Sequence, residues 1–311
     1  MNERKGKIET VTGLILPSEL GFTHSHEHIL FDYFKMIKSY DVIFDEEVIA
    51  ENELNLYKHA GGDSLIDCSS SGIGTNPESL SRLSHKTGVN IVLGCGWYRE
   101  SVYEDIVYTK SASDLSEILQ TQILDGFKNT GVKAGFIGEI GTERDFIGPA
   151  QERVFSAAAK ASLATGVAVL THTTHFGELA IEQVNLLEEA GMNPERILIS
   201  HLGDREDTKI ILEVAKRGVY LSIDNIGYIS KGYPPDEVRI NSILTLIEAG
   251  YLDKIVLGTD ICTRSALKAY GGRGFVWLLE SFIPKLLSLG ISQMEVETMM
   301  KLNIAKAMTI I

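Results

Sequence analysis

The chain has 311 residues, of which 44% are hydrophobic, and a formal net charge of −13. This acidic balance argues against nucleic acid and anionic membranes as partners, because both select a basic surface. The first residues lack the apolar core of a signal peptide, and no apolar run approaches the roughly 20 residues that span a bilayer. We therefore expect a soluble, cytoplasmic protein in which residues 1–311 form one domain that acts on a small molecule.

Short apolar runs alternate along the chain with longer segments of helical period. The runs are rich in valine and isoleucine and are bounded by glycine, asparagine or aspartate, which is typical of strands buried on both faces. The predicted strands are 21–26, 64–68, 90–94, 132–139, 167–172, 196–201, 219–224 and 254–260. The predicted helices are 45–59, 151–165, 176–190, 207–217, 240–249, 275–289 and 292–311.

Eight strands that alternate with helices favour an α/β fold, a single-domain (β/α)8 TIM barrel. The alternative is an open, doubly wound sheet, which would place a glycine-rich phosphate loop after its first strand. In this chain that position holds the sequence His-Ser-His-Glu-His (24–28) instead. We therefore predict the closed barrel, whose chemistry lies at the carboxyl ends of the strands.

Histidines stand at the ends of three predicted strands. His26 and His28 are two residues apart, so on an extended chain their imidazoles point to the same side and can share one cation. His172 and His201 end two adjacent strands and should lie side by side at the mouth of the barrel. His175 follows its strand and is interpreted as a loop residue.

Two acidic residues stand at further strand ends. Glu139 lies within an apolar run, where an ionised side chain is costly unless it is paired or binds a cation, and a carboxylate that bridges two metals would satisfy it. Asp260 could bind a metal and also accept a proton from the attacking water. The alternatives are an exposed acid for Glu139 and a helix N-cap for Asp260.

These residues together are enough for two divalent metal ions. Imidazole and carboxylate ligands suit Zn²⁺, and Mn²⁺, Co²⁺ or Fe²⁺ would also be accepted. A pair of such ions lowers the pKa of a bridging water and polarises the scissile bond. The predicted reaction is hydrolysis, in which a metal-bridging hydroxide attacks a carbonyl carbon or a phosphorus centre.

The ordered set of strand-end motifs resembles the phosphotriesterase family of the amidohydrolase superfamily, from about residue 21 to the end of the chain. The motifs are His-Glu-His (26–28), Lys-Ala-Gly-Phe-Ile-Gly-Glu-Ile-Gly-Thr (133–142), Ala-Thr-Gly-Val through Thr-His-Thr (164–173), Ile-Ser-His-Leu-Gly-Asp (199–204) and Gly-Thr-Asp (258–260). The resemblance implies a binuclear metal site on a (β/α)8 barrel. It assigns His26 and His28 to one metal, His172 and His201 to the other, and Asp260 as the final ligand and proton acceptor.

The chain departs from many family members in two places. Where they bridge the metals with a carboxylated lysine, this chain has Glu139, which resembles the phosphotriesterase homology protein-like branch. Where organophosphate-degrading members carry a histidine in a proton relay, this chain has Asn225, although Asp204 of that relay is retained. Both departures argue against phosphotriester hydrolysis. Tyr98 matches an aromatic residue that faces the bridging water in lactonase-like members; its alternative is a rim aromatic packed on loops.

The predicted eighth loop is basic within an acidic protein. Arg264, Lys268 and Arg273 could clamp a phosphate, sulfonate or carboxylate group, and Lys231 and Arg239 could add to that positive field. The alternative is a set of solvated cations with local salt bridges.

The sequence thus predicts a hydrolase for a small ester, lactone or amide that carries an anionic group. A phosphoester or phosphotriester hydrolase with the same metals is the alternative, and a non-catalytic binding protein is the third candidate. Dimers are common in the family, so a homodimer is one state that the resemblance implies.

Overall fold

A computed structural model of the chain describes residues 3–174, 177–228, 230 and 232–311. His175 and Lys231, to which the sequence assigned a loop position and a part in a positive field, lie outside the described residues.

The centre of the described chain is one sheet of eight strands that follow each other in sequence order, with every neighbouring pair parallel. The strands are β1 (Thr23–Glu27), β2 (Ser64–Asp67), β3 (Asn90–Cys95), β4 (Phe136–Gly141), β5 (Val169–His172), β6 (Ile197–Ile199), β7 (Tyr220–Ile223) and β8 (Ile255–Leu257). Each overlaps one predicted strand, so the prediction of eight parallel strands is confirmed. Most observed strands are shorter, because the terminal residues turn away from the ladder to form the loops.

The sheet curves round until its two edge strands meet. The backbone N–H of Asp260 donates to the carbonyl of His26 at 3.1 Å, just beyond the end of β8. Gly258 is needed at this junction, because a Cβ there would lie 2.8 Å from the His26 carbonyl oxygen and 2.9 Å from its nitrogen. The predicted (β/α)8 barrel is therefore confirmed, and its seam lies beside a candidate metal ligand.

Helices follow the strands along the chain. They are α1 (Phe34–Ile37), α2 (Glu47–His59), α3 (Pro77–Thr87), α4 (Asp105–Thr109), α5 (Ala112–Leu124), α6 (Pro149–Thr165), α7 (Ala180–Glu189), α8 (Lys209–Ala215), α9 (Asp236–Glu248), α10 (Ile283–Ser288), α11 (Gln293–Glu297) and α12 (Asn303–Met308), with π-helical turns at Leu278–Phe282 and Thr298–Leu302. The sequence prediction did not delimit α1, α3, α4 and α5. Within the described ranges, every helix is too short or too polar to cross a membrane.

Both faces of the barrel sheet are buried. Apolar side chains from several strands fill the interior, among them Ile66, Phe136, Leu170 and Val256, all with no exposed surface. The opposite faces of the same strands pack against the surrounding helices. Because apolar side chains fill the interior, a functional site is expected at the rim, where the polar carboxyl ends of the strands converge. Two small antiparallel pairs, Ile8–Thr10 with Gly13–Ile15 and Phe31–Asp32 with Ile43–Phe44, lie outside the barrel.

Candidate metal centre

The carboxylate of Glu139, in β4, lies between the imidazoles of two pairs of histidines. Its Oε1 is 3.4 Å from Nε2 of His28, and its Oε2 is 3.4 Å from Nε2 of His26. The same Oε2 is 3.1 Å from Nδ1 of His172 and 3.9 Å from Nε2 of His201. Glu139 is 1% exposed, so the alternative of an exposed strand-end acid is wrong. The carboxylate is placed to bridge two cations.

Asp260 approaches the same group from the loop after β8. Its Oδ1 lies 3.2 Å from Nε2 of His28 and 3.6 Å from Nε2 of His26, and its Oδ2 lies 3.9 Å from Nδ1 of His201. Two sets of donor atoms each fall within 4.8 Å of one another: His26, Glu139 and His201 in one set, and His26, His28 and Asp260 in the other. The side chain thus belongs to the cluster rather than to a helix N-cap.

Polar partners hold three of the four imidazoles through Nδ1 and turn Nε2 toward the carboxylates. The partners are Ser200 Oγ for His26 (3.0 Å), Ser69 Oγ for His28 (3.1 Å) and Asp224 Oδ1 for His201 (2.7 Å). His172 is reversed, with Nδ1 toward Glu139. Partners of this kind fix the ring orientation and the tautomer of a metal-binding histidine.

The donors present fit divalent cations. Nε2 of His26 is buried and has no hydrogen-bond partner in the described part of the chain, although it faces two carboxylates. Buried polar atoms are nearly always satisfied, so an orphaned imidazole nitrogen at the centre of a cluster indicates a missing ligand. Nδ1 of His172 and Nε2 of His201 are 2.9 Å apart, at hydrogen-bond distance, so both nitrogens face the same small space beside Glu139. Imidazole nitrogens and carboxylate oxygens are the ligands of zinc and similar metals.

The backbone turns sharply where these side chains enter the site. His201 has φ 60°, Asn225 has φ 59° and Asp260 has φ 47°, all in the left-handed region that residues other than glycine rarely adopt. Asp224 stabilises the first of these turns, because its carboxylate accepts the backbone N–H of His201 at 3.0 Å. Local strain of this kind gathers at functional sites, where the surroundings hold it in place.

The surroundings favour the ionised form of the two central carboxylates. Burial raises the pKa of Glu139, but His26 and His172 outweigh it and hold that pKa well below the ordinary value. Burial likewise opposes ionisation of Asp260, and the hydrogen bond to His28 with the charges around it brings its pKa below the ordinary value. Burial lowers the pKa of His26 and His28, but the neighbouring acidic groups outweigh it, so the pKa of His26 lies well above its ordinary value and that of His28 is about 9. A metal ion would therefore displace protons from these imidazoles when it binds.

Above the cluster lies a small cavity of about 240 Å³. Four of the six predicted ligands contribute to its wall, together with Tyr33, Tyr98 and Arg99. The hydroxyl of Tyr98 is 3.3 Å from Nε2 of His172, and the hydroxyl of Tyr33 is 3.0 Å from Nε2 of His28. Burial raises the pKa of both tyrosines, so both hydroxyls are neutral and can donate. The cavity is smaller than the roughly 300–1,000 Å³ of pockets for drug-sized ligands, so it suits a small substrate.

Tyr33 and Arg99 were not predicted from the sequence. Tyr33 follows a short strand outside the barrel, and no pattern connects it with a metal ligand. Arg99 directly follows Tyr98 at the end of β3, so its position next to a predicted cavity residue was a usable signal. The sequence instead suggested the eighth loop as the source of positive charge at the site.

The retained residue Asp204 is tied into a buried network. Its Oδ1 accepts Nε–H of Arg239 at 2.8 Å, and its Oδ2 accepts the side-chain N–H of Asn225 at 2.7 Å. Arg239 has no exposed surface and also pairs with Asp236 at 2.8 Å. The expectation that Arg239 adds to a positive field at the mouth is therefore wrong, because two carboxylates already compensate its charge.

The three cations of the eighth loop lie beside the metal cavity rather than in its wall. Arg264 is bound to the Glu46 carboxylate at 2.7 Å and to the Tyr270 hydroxyl at 2.6 Å. Lys268 and Arg273 line a neighbouring cavity of about 450 Å³, which shares the wall residue Tyr228 with the metal cavity. Their role in binding a substrate anion stays a prediction.

A parallel barrel whose strand ends bring histidines and carboxylates into two adjoining clusters defines a TIM-barrel metalloprotein. The model of the phosphotriesterase family matches residues 6–308. The phosphotriesterase homology protein of Escherichia coli (strain K12) is 34% identical over 91% of this chain and 96% of its own, and N-acetyltaurine hydrolase of Danio rerio is 30% identical over 96% of each chain. A lactonase from Listeria monocytogenes superimposes with a TM-score of 0.91 at 25% identity, covering 98% of this chain and 99% of that one.

The chain belongs to the phosphotriesterase family. Its fold, its cluster of metal donors and the hydrolases among its relatives make it a metal-dependent hydrolase.

Proposed function

We propose that this enzyme hydrolyses a small ester, lactone or amide that carries an anionic group, with Zn²⁺ as the resident metal at both positions. The observation that carries the proposal is the position of Asp260. Its carboxylate faces the small cavity and touches the histidine cluster, whereas Asp204, the other acid of the family's proton relay, is bound by Arg239 and Asn225. The chain thus keeps a proton acceptor and lacks the histidine relay of the organophosphate-degrading members.

The side chains divide the work between holding metals and handling the substrate. Glu139 would bridge the two cations, His26 and His28 would hold one, and His172 and His201 the other. Such a pair of cations supplies an activated water and polarises the scissile carbonyl. Asp260 takes the proton of the attacking water and returns it to the leaving group, a role that general acid–base groups at such sites perform. The hydroxyl of Tyr98 faces the same space and can donate to the substrate.

The preference for a carbonyl substrate with an anionic group has support from relatives. N-acetyltaurine hydrolase of Danio rerio, by its name, cleaves an acyl amide whose other end is a sulfonate, and it matches this chain over 96% of its length. The lactonase from Listeria monocytogenes acts on another carbonyl compound, a lactone. A small cavity suits both classes of substrate.

Phosphoester hydrolysis with the same metals is the second candidate. It has one specific observation in its favour, because the phosphotriesterase homology protein of Escherichia coli crystallised with phosphate in its active site. That structure superimposes on this chain with a TM-score of 0.90 at 33% identity, covering 93% of this chain and 99% of that one. Phosphate is also a mimic of the tetrahedral species in acyl hydrolysis, so the observation is compatible with both reactions.

Metal analysis followed by a substrate panel tests the proposal. The purified enzyme is expected to contain about two equivalents of zinc and to hydrolyse N-acyl amino sulfonates, N-acyl amino acids or lactones faster than aryl phosphoesters. Activity confined to phosphotriesters would overturn the choice of a carbonyl substrate. Absence of bound metal and of all hydrolysis would favour a binding protein. A cytoplasmic location and a homodimer remain predictions, which fractionation and light scattering address.

A further inference from the structure

We propose that Arg99 recognises the anionic group of the substrate inside the metal cavity and so determines the specificity of the enzyme. The inference rests on the proposed function and names the residue behind its anion preference. The sequence suggested that residues of the eighth loop bind the anion, whereas this proposal assigns that role to the loop after β3.

Arg99 lies in the wall of the cavity next to the metal donors. Among the described residues that line this cavity it is the one lysine or arginine, while Glu139, Asp204 and Asp260 contribute carboxylates. Its guanidinium carbon is 5.9 Å from the ring centre of Tyr98, whose hydroxyl is 3.3 Å from His172. An anion on Arg99 would therefore be a short distance from the metal-facing end of the substrate.

The backbone beside Arg99 is adapted to bring it close to the centre. Gly141, at the end of β4, packs against both Arg99 and His172. A Cβ on Gly141 would lie 2.9 Å from Cβ of His172 and 3.1 Å from Cγ of Arg99. A larger residue would push the arginine away from the metal ligand, so glycine at this position allows the two side chains to share the wall.

The guanidinium of Arg99 is held on one side and has an open donor on the other. Its Nη2 pairs with the carboxylate of Glu143, which fixes its direction. Its Nε is buried and has no hydrogen-bond partner in the described ranges of the chain. Because a buried N–H is costly to leave unsatisfied, this donor indicates a ligand that is absent from the protein itself. A planar guanidinium edge suits carboxylate and sulfonate oxygens.

Arg99 also keeps its charge in this environment. Burial lowers its pKa, but the hydrogen bond to Glu143 and nearby charges more than offset this, so the pKa stays above its ordinary value. Arg239 is paired with Asp204 and Asp236, Arg264 is paired with Glu46, and Arg273 lines the neighbouring cavity. Arg99 is paired with Glu143 but lies in the wall of the metal cavity, so it is the arginine placed to attract an anion there.

The substrate class that follows is a short acyl amide or ester with a sulfonate or carboxylate a few bonds from the scissile carbonyl. A cavity of about 240 Å³ leaves little room between the metal donors and Arg99, so a long linker would not fit.

The test compares a charged substrate with a neutral one of the same shape. The probes are N-acetyl-2-aminoethanesulfonate and the corresponding N-acetyl methyl sulfone for kcat/KM, and pentane-1-sulfonate and methyl pentyl sulfone for Kd by calorimetry on the metal-loaded enzyme. The variants are Arg99→Gln and Arg99→Lys. The matched control is Arg144→Gln, because Arg144 lies two residues beyond Thr142 in the adjacent loop and its side chain is 53% exposed and paired with Glu178.

We expect Arg99→Gln to reduce kcat/KM for the sulfonate and its affinity for pentane-1-sulfonate by about 10- to 100-fold, as loss of a charge-assisted hydrogen bond implies. Values for the sulfones should change by less than about threefold, and Arg99→Lys should lie between wild type and Arg99→Gln. Equal losses on both members of a pair, or no loss on the sulfonates, would overturn the role of Arg99. If the wild type cleaves no acyl amide or ester, the proposed reaction fails, and the two Kd values still decide the role of Arg99.

Discussion

The carboxylate of Glu27, in the first strand of the barrel, accepts the backbone N–H of Thr259, beyond the end of the eighth strand, at 2.7 Å. The same oxygen accepts the hydroxyl of Thr259 at 2.5 Å, and the other oxygen accepts the backbone N–H of Ile261 at 3.1 Å. These bonds enclose Asp260 on both sides. Glu27 has no exposed surface, and its bonds join the first strand to the segment after the eighth strand, so it is a positioning residue for Asp260.

Replacement of Glu27 by glutamine is expected to lower kcat more than it raises KM. The amide nitrogen would face a backbone N–H in place of an acceptor, which costs about 1–3 kcal/mol of folding free energy and releases Asp260 from its position. Steady-state kinetics and urea unfolding measure the two effects. Glu117→Gln, at an exposed position of α5, is the control. Unchanged kcat in Glu27→Gln would show that the function of Asp260 does not depend on the hydrogen bonds that Glu27 accepts from Thr259 and Ile261.

Replacement of Glu139 by glutamine should remove metal and activity together. An amide cannot bridge two cations as a carboxylate does. The four histidines approach both carboxylate oxygens of Glu139, and glutamine would keep only one oxygen. Metal content by plasma mass spectrometry after dialysis should fall from two equivalents to one or fewer. Full binuclear occupancy in the variant would place the bridge elsewhere.

Replacement of Asp260 by asparagine should separate metal binding from turnover. The amide oxygen can still face His28 and His26, so most of the metal should remain. The amide cannot accept the proton, and kcat should fall by roughly 10²- to 10⁴-fold, the usual contribution of a general base. Metal analysis and kcat are measured on the same preparation. A kcat near that of the wild type would exclude Asp260 as the proton acceptor.

The buried pair of Arg239 and Asp204 should matter for stability. Arg239→Met leaves the Asp204 carboxylate without its cation and should cost about 3–5 kcal/mol of unfolding free energy. The double variant Arg239→Met with Asp204→Asn should recover part of that loss, because only the partly exposed carboxylate of Asp236 then lacks its cation. The exposed pair of Arg144 and Glu178 is the comparison and should contribute less than about 1 kcal/mol. Denaturant unfolding of the four proteins gives the coupling energy, and a coupling near zero would contradict the assignment.

Removal of metal should lower thermal stability as well as activity. Ligands that bind only the folded state stabilise it, so removal of the metal ions removes that contribution. A chelator is expected to reduce Tm by roughly 5 to 10 °C, with recovery on addition of Zn²⁺, Mn²⁺ or Co²⁺. Differential scanning calorimetry before and after chelation measures this. An unchanged Tm would indicate that the cluster binds no metal in the purified protein.

Local patterns in the sequence determined the fold and the position of the metal donors. Valine- and isoleucine-rich runs bounded by glycine define the eight strands, because a strand buried on both faces must be apolar throughout. Polar residues at the carboxyl ends of such strands can only meet at one face of a parallel barrel, which is why His26, His28, Glu139, His172 and His201 were predicted together. The tilt and closure of the barrel then bring them within a few ångströms.

Only the tertiary structure decided which charged side chains are paired within the protein and which face the cavity. Glu27 and Thr259 are 232 positions apart, and no pattern in the sequence connects them. The structure compensates Arg239, in α9, inside the protein and places Arg99, in the loop after β3, in the wall of the cavity. The difference arises because the surroundings of a long side chain depend on contacts between distant loops, whereas the position of a strand end follows from hydrophobic burial within its own segment.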